Sequence, residues 1–176
     1  MSMETVKDDA VVTASKTGLV NTSADKFMAF KLGAEEYGLE ILKVRELIGM
    51  MEITRVPRTR EYIRGVINLR GKVIPVMDLR LKFGMEKTSF TDQTVIIVVQ
   101  HEGTDGEMTM GILVDEVMEV LNISGSQIDP PPDFGDGAAG SDFIAGVGKN
   151  GERVIFLLDI GKILSRKDLK TDTAEA

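Results

Sequence analysis

The sequence predicts a mostly β protein made of two small β-barrels packed together, and three observations support this prediction. Short runs of alternating apolar and polar residues recur between turn residues, a pattern typical of strands. The turn residues are densest in the stretch from Gly65 to Arg80, where two such runs end at Asp78. A degraded copy of that stretch returns from Gly146 to Ile160. This duplication predicts two units, each of about five short strands and one helical turn.

The two copies align at two offsets. At 81 residues, Gly65-Val66 matches Gly146-Val147 and Asp78-Leu79 matches Asp159-Ile160. At 73 residues, the matched pairs are Gly38 and Gly111, Val44 and Val117, and Glu46 and Glu119. The different offsets imply eight extra residues in the second copy, where a Pro-rich loop lies.

The first copy begins with a predicted hairpin, formed by strands from Phe27 to Leu32 and from Tyr37 to Ile41. The alternation slips at Leu42-Lys43, as a bulge or bend causes, before a strand over 44–48. After a loop marked by Pro57, the pattern predicts strands over 62–69 and 72–77, a tight turn at Gly71, and a short helix between the N-cap Asp78 and the stop at Gly84. Pro75 lies within a strand and requires a sheet edge or a bulge.

The second copy repeats this order. Strands are predicted over 94–99, 110–114, 117–121, 143–148 and 153–158, with a solvated polar turn from His101 to Glu107 and a last helix from Asp159 to Leu164. The predicted division is a disordered tail over 1–25, a first barrel over 26–88, a second barrel over 89–165 and a frayed tail over 166–176.

Composition limits the classes of function. The formal charge is −7, yet the segment from Arg55 to Lys82 has a net charge of +6, and residues 88–148 hold eleven carboxylates and no Lys or Arg. This asymmetry indicates an acidic partner for one half, attraction between the halves, or merely unevenly charged solvated faces. No cysteine and no apolar run of membrane-spanning length occur, which favours a cytoplasmic protein.

Enzyme signatures are absent, so we predict no catalytic residue, no metal and no cofactor. The string from Gly135 to Gly140 matches G-x-G-x-x-G without the strand–turn–helix context that a dinucleotide needs. The stretch from Gly65 to Lys72 resembles a P-loop only in outline, because Val73 stands where Ser or Thr should bind magnesium. The sole histidine, His101, has only scattered carboxylates near it in sequence, which is a poor metal site.

Nucleic-acid binding is also disfavoured. The basic segment offers only Tyr62 and Phe83 as stacking rings, and the acidic second copy would repel a phosphate backbone. What remains is a protein-binding surface. Glu46 and Arg70 are charged residues within apolar strand-like sequence, and they form either an ion pair at the edge of the core or two unrelated surface charges.

Four strings resemble the CheW family of chemotaxis coupling proteins: EEYGLEILKVRE from Glu35, ITRVP from Ile53, YIRGVINLRGKVIPVMDLRLKFG from Tyr62 and GILVDEVMEVL from Gly111. The resemblance spans about Phe27 to Leu164. It implies two five-stranded SH3-like barrels without catalytic activity. It also implies a cytoplasmic scaffold, recruited to membrane-associated arrays without membrane insertion. Its implied partners are the cytoplasmic tip of methyl-accepting chemoreceptors and the regulatory domain of the chemotaxis histidine kinase.

The resemblance also implies site residues. Receptor contact falls between the barrels, on Val44, Gly65, Arg70, Val95, Gly111 and Val117, with Glu46 supporting Arg70. Kinase contact falls on Ile53, Val56 and Pro57. We expect Arg70→Ala or Gly65→Arg to abolish receptor-dependent kinase activation with the barrels still folded. The alternatives are a coupler-like scaffold in a non-chemotactic receptor–kinase array and, least favoured, a small-barrel nucleic-acid-binding module.

Overall fold

The structure, a computed structural model, describes residues 26–103, 106–131 and 141–164; both predicted tails lie outside them. The strands are β1 (Lys26–Leu32), β2 (Glu35–Glu40), β3 (Val44–Gly49), β4 (Ile63–Leu69), β5 (Lys72–Asp78), β6 (Val95–Gly103), β7 (Gly106–Val114), β8 (Glu116–Asn122), β9 (Ile128–Asp129), β10 (Ile144–Asn150) and β11 (Arg153–Leu158). The helices are α1 (Leu79–Lys82) and α2 (Ile160–Ile163), and 3₁₀ turns cover Ile41–Lys43, Gly125–Gln127 and Ser141–Phe143. The predicted mostly β class is confirmed.

The strands form two curled sheets, which confirms the two SH3-like barrels. The five-stranded sheet has the order β3-β6-β7-β5-β4, and the six-stranded sheet has the order β9-β10-β11-β2-β1-β8. Both sheets are closed in the same way, by a short pairing of the chain beyond one edge strand with the strand at the other edge. Beyond β3, Thr54 bridges Val66 on β4, with two backbone hydrogen bonds of 2.8 Å. Beyond β8, Asp129 on β9 pairs with Val147, the residue that matches Val66. The strand counts differ only because the second bridge is one residue longer.

Each sheet takes strands from both sides of the predicted boundary at residue 88. The β1–β2 hairpin joins the six-stranded sheet through a parallel pairing of β2 with β11, and the β6–β7 hairpin joins the five-stranded sheet through a parallel pairing of β7 with β5. The 3₁₀ turn at Ile41–Lys43 lies between the end of β2 in one sheet and the start of β3 in the other. The sequence-based division differs from the sheets because the two halves exchange their first hairpins.

The internal duplication is confirmed by equivalent local geometry. The parallel pairings place Gly38 opposite Leu157 and Gly111 opposite Val76, in matched registers. The antiparallel pairs β4–β5 and β10–β11 both shift register just before a matched glycine, Gly65 in one and Gly146 in the other. The matched helices are capped alike. The Asp78 carboxylate accepts from the Leu81 N–H at 3.3 Å, and that of Asp159 accepts from the Gly161 N–H at 3.0 Å.

Pro75 does not lie on an edge strand, because β5 runs between β4 and β7. Its pairing partner on β4 is Val66, whose N–H and C=O both bond to Thr54 instead. On the other side, pairing with β7 starts only at Val76. The missing N–H of Pro75 therefore costs no ladder hydrogen bond, and of the two predicted settings it is the bulge, between Ile63 and Gly65 in the β4–β5 pair, rather than a sheet edge that lies beside it.

A central apolar cluster joins the two sheets. It includes Phe30 and Leu39 from the six-stranded sheet and Ile97 and Ile112 from the five-stranded one, all fully buried. The Tyr37 ring contacts Phe30, Phe83 and Phe156 with centroid distances of 5.6–5.9 Å. Two smaller clusters fill the individual barrels, one around Ile155 and the other around Val76. Because the largest cluster lies between the sheets, the barrels are packed together as predicted.

The polar turn predicted from His101 to Glu107 is shorter in the structure. Strand β6 continues to Gly103, and His101 pairs with Met108 on β7. The imidazole lies against Gly161 at the start of α2, where an added Cβ would be 3.0 Å from the ring. Its Nδ1 atom is buried and has no hydrogen-bond partner in the described ranges. The prediction of a solvated loop is wrong for His101 because the hairpin extends to pack against α2.

Candidate partner-binding site

Glu46 and Arg70 form an ion pair at the surface of the five-stranded sheet. Arg70 Nη2 donates to Glu46 Oε2, which resolves the two readings left open by the sequence. The Arg70 side chain is 69% exposed and that of Glu46 is 32% exposed. A pair this accessible to water contributes only about 0–1 kcal/mol to stability. The ion pair therefore contributes little to the stability of the fold, and the guanidinium stays accessible to a partner.

The turn that carries Arg70 fixes the position of its side chain. Arg70 and Gly71 have φ angles of 53° and 87°, as in the two-residue hairpin turns that follow the twist of the strands. The left-handed conformation costs an arginine about 1–2 kcal/mol per residue. Asn68 stabilises the turn, since its Oδ1 accepts from the Gly71 N–H at 2.8 Å. The turn and Glu46 together hold the exposed cation in one place.

A shallow depression of about 230 Å³ lies beside the ion pair. It is lined by Arg45, Glu46, Leu69, Arg70, Lys72, Ile74, Val98 and Thr109. Leu47 on β3 and Val73 on β5 are exposed too, but the alternation of side chains puts them on the opposite sheet face from Glu46 and Ile74. Cations beside an apolar side chain such as Leu69 are suited to an amphipathic partner that carries carboxylates. We call the residues that line this depression the Arg70 face.

The predicted site residues Gly65 and Gly111 are buried. Cross-strand pairing puts them in one row with Glu46, through Val76 and Val98. A Cβ on Gly65 would lie 2.1 Å from the Thr54 carbonyl oxygen, and Gly65 has a φ of 142° that other residues rarely adopt. A Cβ on Gly111 would lie 2.8 Å from Ile96 Cγ2. The expectation that Gly65→Arg leaves the barrels folded is wrong, because the glycine is required by the chain's own backbone.

Val44, Val95 and Val117 are half-buried and pack against the central cluster. Val44 pairs with Val99, whereas Val95 pairs with Gly49 at the other end of the same strand pair. Val117 belongs to the other sheet and lies opposite Phe30. The structure therefore brings Glu46 and Arg70 into contact and distributes the three valines along the border between the sheets.

The residues predicted for kinase contact lie in the segment between β3 and β4. Ile53 is half-buried and packs against the apolar cluster of the five-stranded barrel. Val56 is half-buried too, and its carbonyl accepts from the Thr59 hydroxyl at 3.0 Å. Pro57 is exposed. Of the three, only Pro57 offers most of its side chain to a partner.

Sequence reasoning missed a second ion-pair network on the six-stranded sheet. Arg153 Nη2 donates to Glu36 Oε1 at 2.7 Å, and Arg153 Nη1 donates to Glu119 Oε2 at 3.2 Å. Glu119 is the residue that matches Glu46 at the 73-residue offset. That match was the available signal, since a charged residue retained in both copies indicates a retained partner.

The described residues contain no group of three or more His, Asp or Glu side chains that could hold a metal ion. Neither of the four-residue helices in the described part of the chain is long or apolar enough to cross a membrane.

A family model, named proteins and a solved structure all match this chain to CheW proteins. The family model of the CheW-like domain matches residues 26–168. The chain is 41% identical over 148 residues to a chemotaxis protein CheW of Klebsiella aerogenes, covering 84% of this chain and 86% of that one. It is 34% identical to a chemotaxis protein CheW of Helicobacter pylori, covering 83% and 85% of the two chains. The crystal structure of the scaffolding protein TtCheW from Thermoanaerobacter tengcongensis superposes with a TM-score of 0.69 at 37% identity, covering 77% of this chain and 89% of the other.

Proposed function

Because the chain belongs to the CheW-like domain family, we propose that it couples chemoreceptors to the chemotaxis histidine kinase through the Arg70 face. The protein is a non-enzymatic scaffold of bacterial chemotaxis signalling, and its family acts with chemotaxis receptors and the kinase. The proposal concerns which surface does this: the receptor's cytoplasmic tip binds at the Arg70 face, and the kinase's regulatory domain binds at the segment holding Ile53, Val56 and Pro57. Binding to both recruits the scaffold to membrane-associated receptor arrays.

The observation that supports the receptor assignment is the exposed, fixed guanidinium of Arg70. Its ion pair with Glu46 leaves it 69% exposed, and the strained turn limits the directions it can take. A side chain that is already ordered loses less conformational entropy on binding. Arginine at an interface is also among the residues whose truncation costs most. Leu69, which is half-buried in the lining of the same depression, supplies apolar contact beside this anchor.

Gly65, Gly111 and the three valines support the receptor site from behind in this proposal. Gly65 allows the Thr54 backbone to lie close over β4, Gly111 allows Ile96 to pack over β7, and Val44, Val95 and Val117 line the border between the sheets. We expect substitutions at these positions to weaken receptor binding through the shape of the barrel rather than through a lost contact.

Arg70→Ala tests the receptor assignment. We expect the folded variant to lose at least tenfold in affinity for a receptor-tip fragment, since truncation of a central interface arginine costs about 2 kcal/mol or more. The measurement is a pull-down with receptor tip and kinase, scored for receptor-dependent kinase activity. Lys149→Ala is the matched control, because Lys149 is an exposed, ion-paired cation on the other sheet. Equal receptor binding by Arg70→Ala and the control would rule out the Arg70 face.

Pro57→Asp tests the kinase assignment separately. The exposed ring lies in a turn, so the change alters the surface without disturbing the core. We expect weaker binding of the isolated regulatory domain and unchanged binding of the receptor tip. The reverse pattern would exchange the two assignments.

A further inference from the structure

A basic cavity of about 490 Å³ opens on the five-stranded barrel between the β3–β4 segment and the chain that follows α1. It is lined by Ile53, Arg55, Thr59, Arg60, Glu61, Ile63, Arg64, Leu81, Lys87 and Phe90. Its volume falls within the range of small-molecule sites, roughly 300–1,000 Å³. The Arg70 face is lined by a different set of residues, so the cavity is not part of it.

The charge of the lining is strongly positive. Three arginines and one lysine line the cavity, against the carboxylate of Glu61 in the lining and that of Asp78, which pairs with Arg64. The protein as a whole carries −7, so this concentration of cations opposes the general field. A concave surface of one charge sign focuses its potential and raises the local concentration of the opposite ion. The charge of the lining therefore favours an anion as the ligand.

One of the cations is held in place. Arg64 Nε lies 3.4 Å from Asp78 Oδ2, and the guanidinium carbon lies 4.8 Å from the centre of the Phe90 ring. The Arg64 side chain is only 16% exposed. A charged fork fixed against an aromatic ring and partly removed from water is pre-organised for an anionic oxygen. The residue that matches Arg64 in the second barrel is Ala145, so this feature belongs to the first barrel alone.

Four apolar side chains also belong to the lining. Ile63 is buried, Ile53 and Leu81 are half-buried, and Phe90 is 44% exposed. A lining of this kind accommodates a ligand with a small carbon skeleton as well as an anionic group.

We propose that this cavity binds a phosphate monoester, with the phosphate on Arg55, Arg64 and Lys87 and its carbon skeleton toward Phe90. A phosphate monoester carries a charge of roughly −1.5 to −2 and three acceptor oxygens, so it can accept hydrogen bonds from several of the cationic side chains at once, more than a single carboxylate can. Arginine forks match the geometry of phosphate oxygens. The group could belong to a soluble metabolite or to a lipid headgroup, which present the same chemistry. The cavity lies apart from the Arg70 face but shares Ile53 and the β3–β4 segment with the proposed kinase contact. Its test measures neither receptor nor kinase binding, so failure of this inference and failure of the proposed function are distinguishable.

The test measures binding of three probes by the full chain. The probes are inorganic phosphate, sn-glycerol 3-phosphate, and phosphatidylcholine vesicles with and without phosphatidic acid. We expect saturable binding of sn-glycerol 3-phosphate by NMR, with shifts confined to residues of the cavity, and weaker binding of inorganic phosphate. Binding of the phosphatidic acid vesicles in addition would identify the headgroup as a source. Binding of the soluble ester alone would identify a metabolite.

The variant Arg55→Gln with Lys87→Gln separates a built site from general attraction. Both side chains are exposed, so the fold should persist, and we expect the dissociation constant to rise at least tenfold for the loss of two charged contacts. Lys149→Gln, which removes an exposed cation from the other barrel, should leave binding unchanged. Three results would each overturn the proposal. They are no saturable binding of any probe, equal weakening by the double variant and by Lys149→Gln, and binding of an acidic peptide in the cavity that none of the probes displaces.

Discussion

The two barrels differ in the ion pairs that their matched glutamates, Glu46 and Glu119, form. Glu46 pairs with one arginine on an exposed turn, whereas Glu119 pairs with Arg153, which also binds Glu36 on the β1–β2 hairpin. The Arg70 side chain is 69% exposed and the Arg153 side chain 33%. The matched glutamate thus binds a solvent-facing cation in the first barrel and, in the second, a cation that joins strands β2, β8 and β11. The two barrels share one strand arrangement, but the ion pair of the matched glutamate is an exposed surface pair in the first and part of a strand-joining network in the second.

The exposed apolar residues did not diverge in this way. Leu47 and Val120 match at the 73-residue offset and are 41% and 48% exposed. Val73 and Val154 match at the 81-residue offset and are 66% and 51% exposed. Both barrels therefore present an equivalent apolar surface, and the charged residues around it distinguish one from the other.

The largest expected effect contrasts the two matched glycines. Gly65→Ala should lower the free energy of unfolding by at least about 3 kcal/mol, because the new Cβ would overlap the Thr54 backbone, which cannot move away cheaply. Gly146→Ala should cost less, about 1–2 kcal/mol, since its new Cβ would meet a methyl group of Ile128 at 2.9 Å and the Asp129 carbonyl oxygen at 3.1 Å rather than overlap backbone atoms. Urea denaturation of the two variants measures both values. Equal losses would show that the two bulges are not under different constraint.

The second effect contrasts the two arginines. Arg153→Ala should lower the free energy of unfolding by about 1–3 kcal/mol, because it leaves the partly buried carboxylate of Glu36 without its charged donor. Arg70→Ala should change it by less than about 1 kcal/mol, since that pair is exposed. Thermal unfolding of both variants supplies the comparison. A larger loss for Arg70→Ala would contradict the division into a binding cation and a structural cation.

A smaller effect is expected when the first barrel's ion pair is transferred to the second. Ala145 borders a cavity of about 270 Å³ that also contacts Glu40 and Asp159. Ala145→Arg would place a guanidinium near Asp159, as Arg64 lies near Asp78. The variant should gain about 0–1 kcal/mol of stability. The gain should vanish in the Asp159→Asn background; a gain that persists there would come from packing rather than from the transferred pair.

The smallest effect is a pH dependence at Asp78. Burial raises the pKa of this carboxyl above its ordinary value of 3.8, against the opposing effects of the Leu81 N–H and Arg64. The folded state therefore binds the proton more tightly than the unfolded state does. Relative to Asp78→Asn, wild-type stability should be highest below pH 3.8, fall as the pH rises through the folded-state pKa, and stay level above it. Urea denaturation across this window measures the difference, and a difference that rises with pH would contradict the assignment.

Much of this fold follows from local sequence. Gly71 in its turn and the caps Asp78 and Asp159 lie as predicted, because each is decided by a few neighbouring residues. The exchange of hairpins was not predictable in this way, since it depends on which sheet a strand joins after the turn at Ile41–Lys43. At the candidate site, the Glu46–Arg70 ion pair was one of the two alternatives that the sequence allowed.

The burial of Gly65 and Gly111, in contrast, could not be predicted from the sequence. Their places in the alternation give no sign of which backbone lies over them, and the constraint on Gly65 comes from Thr54, eleven residues away in the sequence. The contact of Arg153 with Glu36 spans 117 residues and depends on the exchanged hairpin. Sequence patterns report local periodicity, so contacts of this range become visible only in the folded chain.

The hairpin exchange also has a consequence for synthesis on the ribosome. The β1–β2 hairpin emerges first, yet the strand that covers the free edge of β2, β11, is translated more than a hundred residues later, as the 117-residue separation of Glu36 and Arg153 indicates. Until β11 has been made, that edge has no partner, and unpaired edges are where nascent chains associate wrongly. The exchange therefore leaves the edge of β2 exposed to wrong pairing for longer than a hairpin that pairs within its own half of the chain.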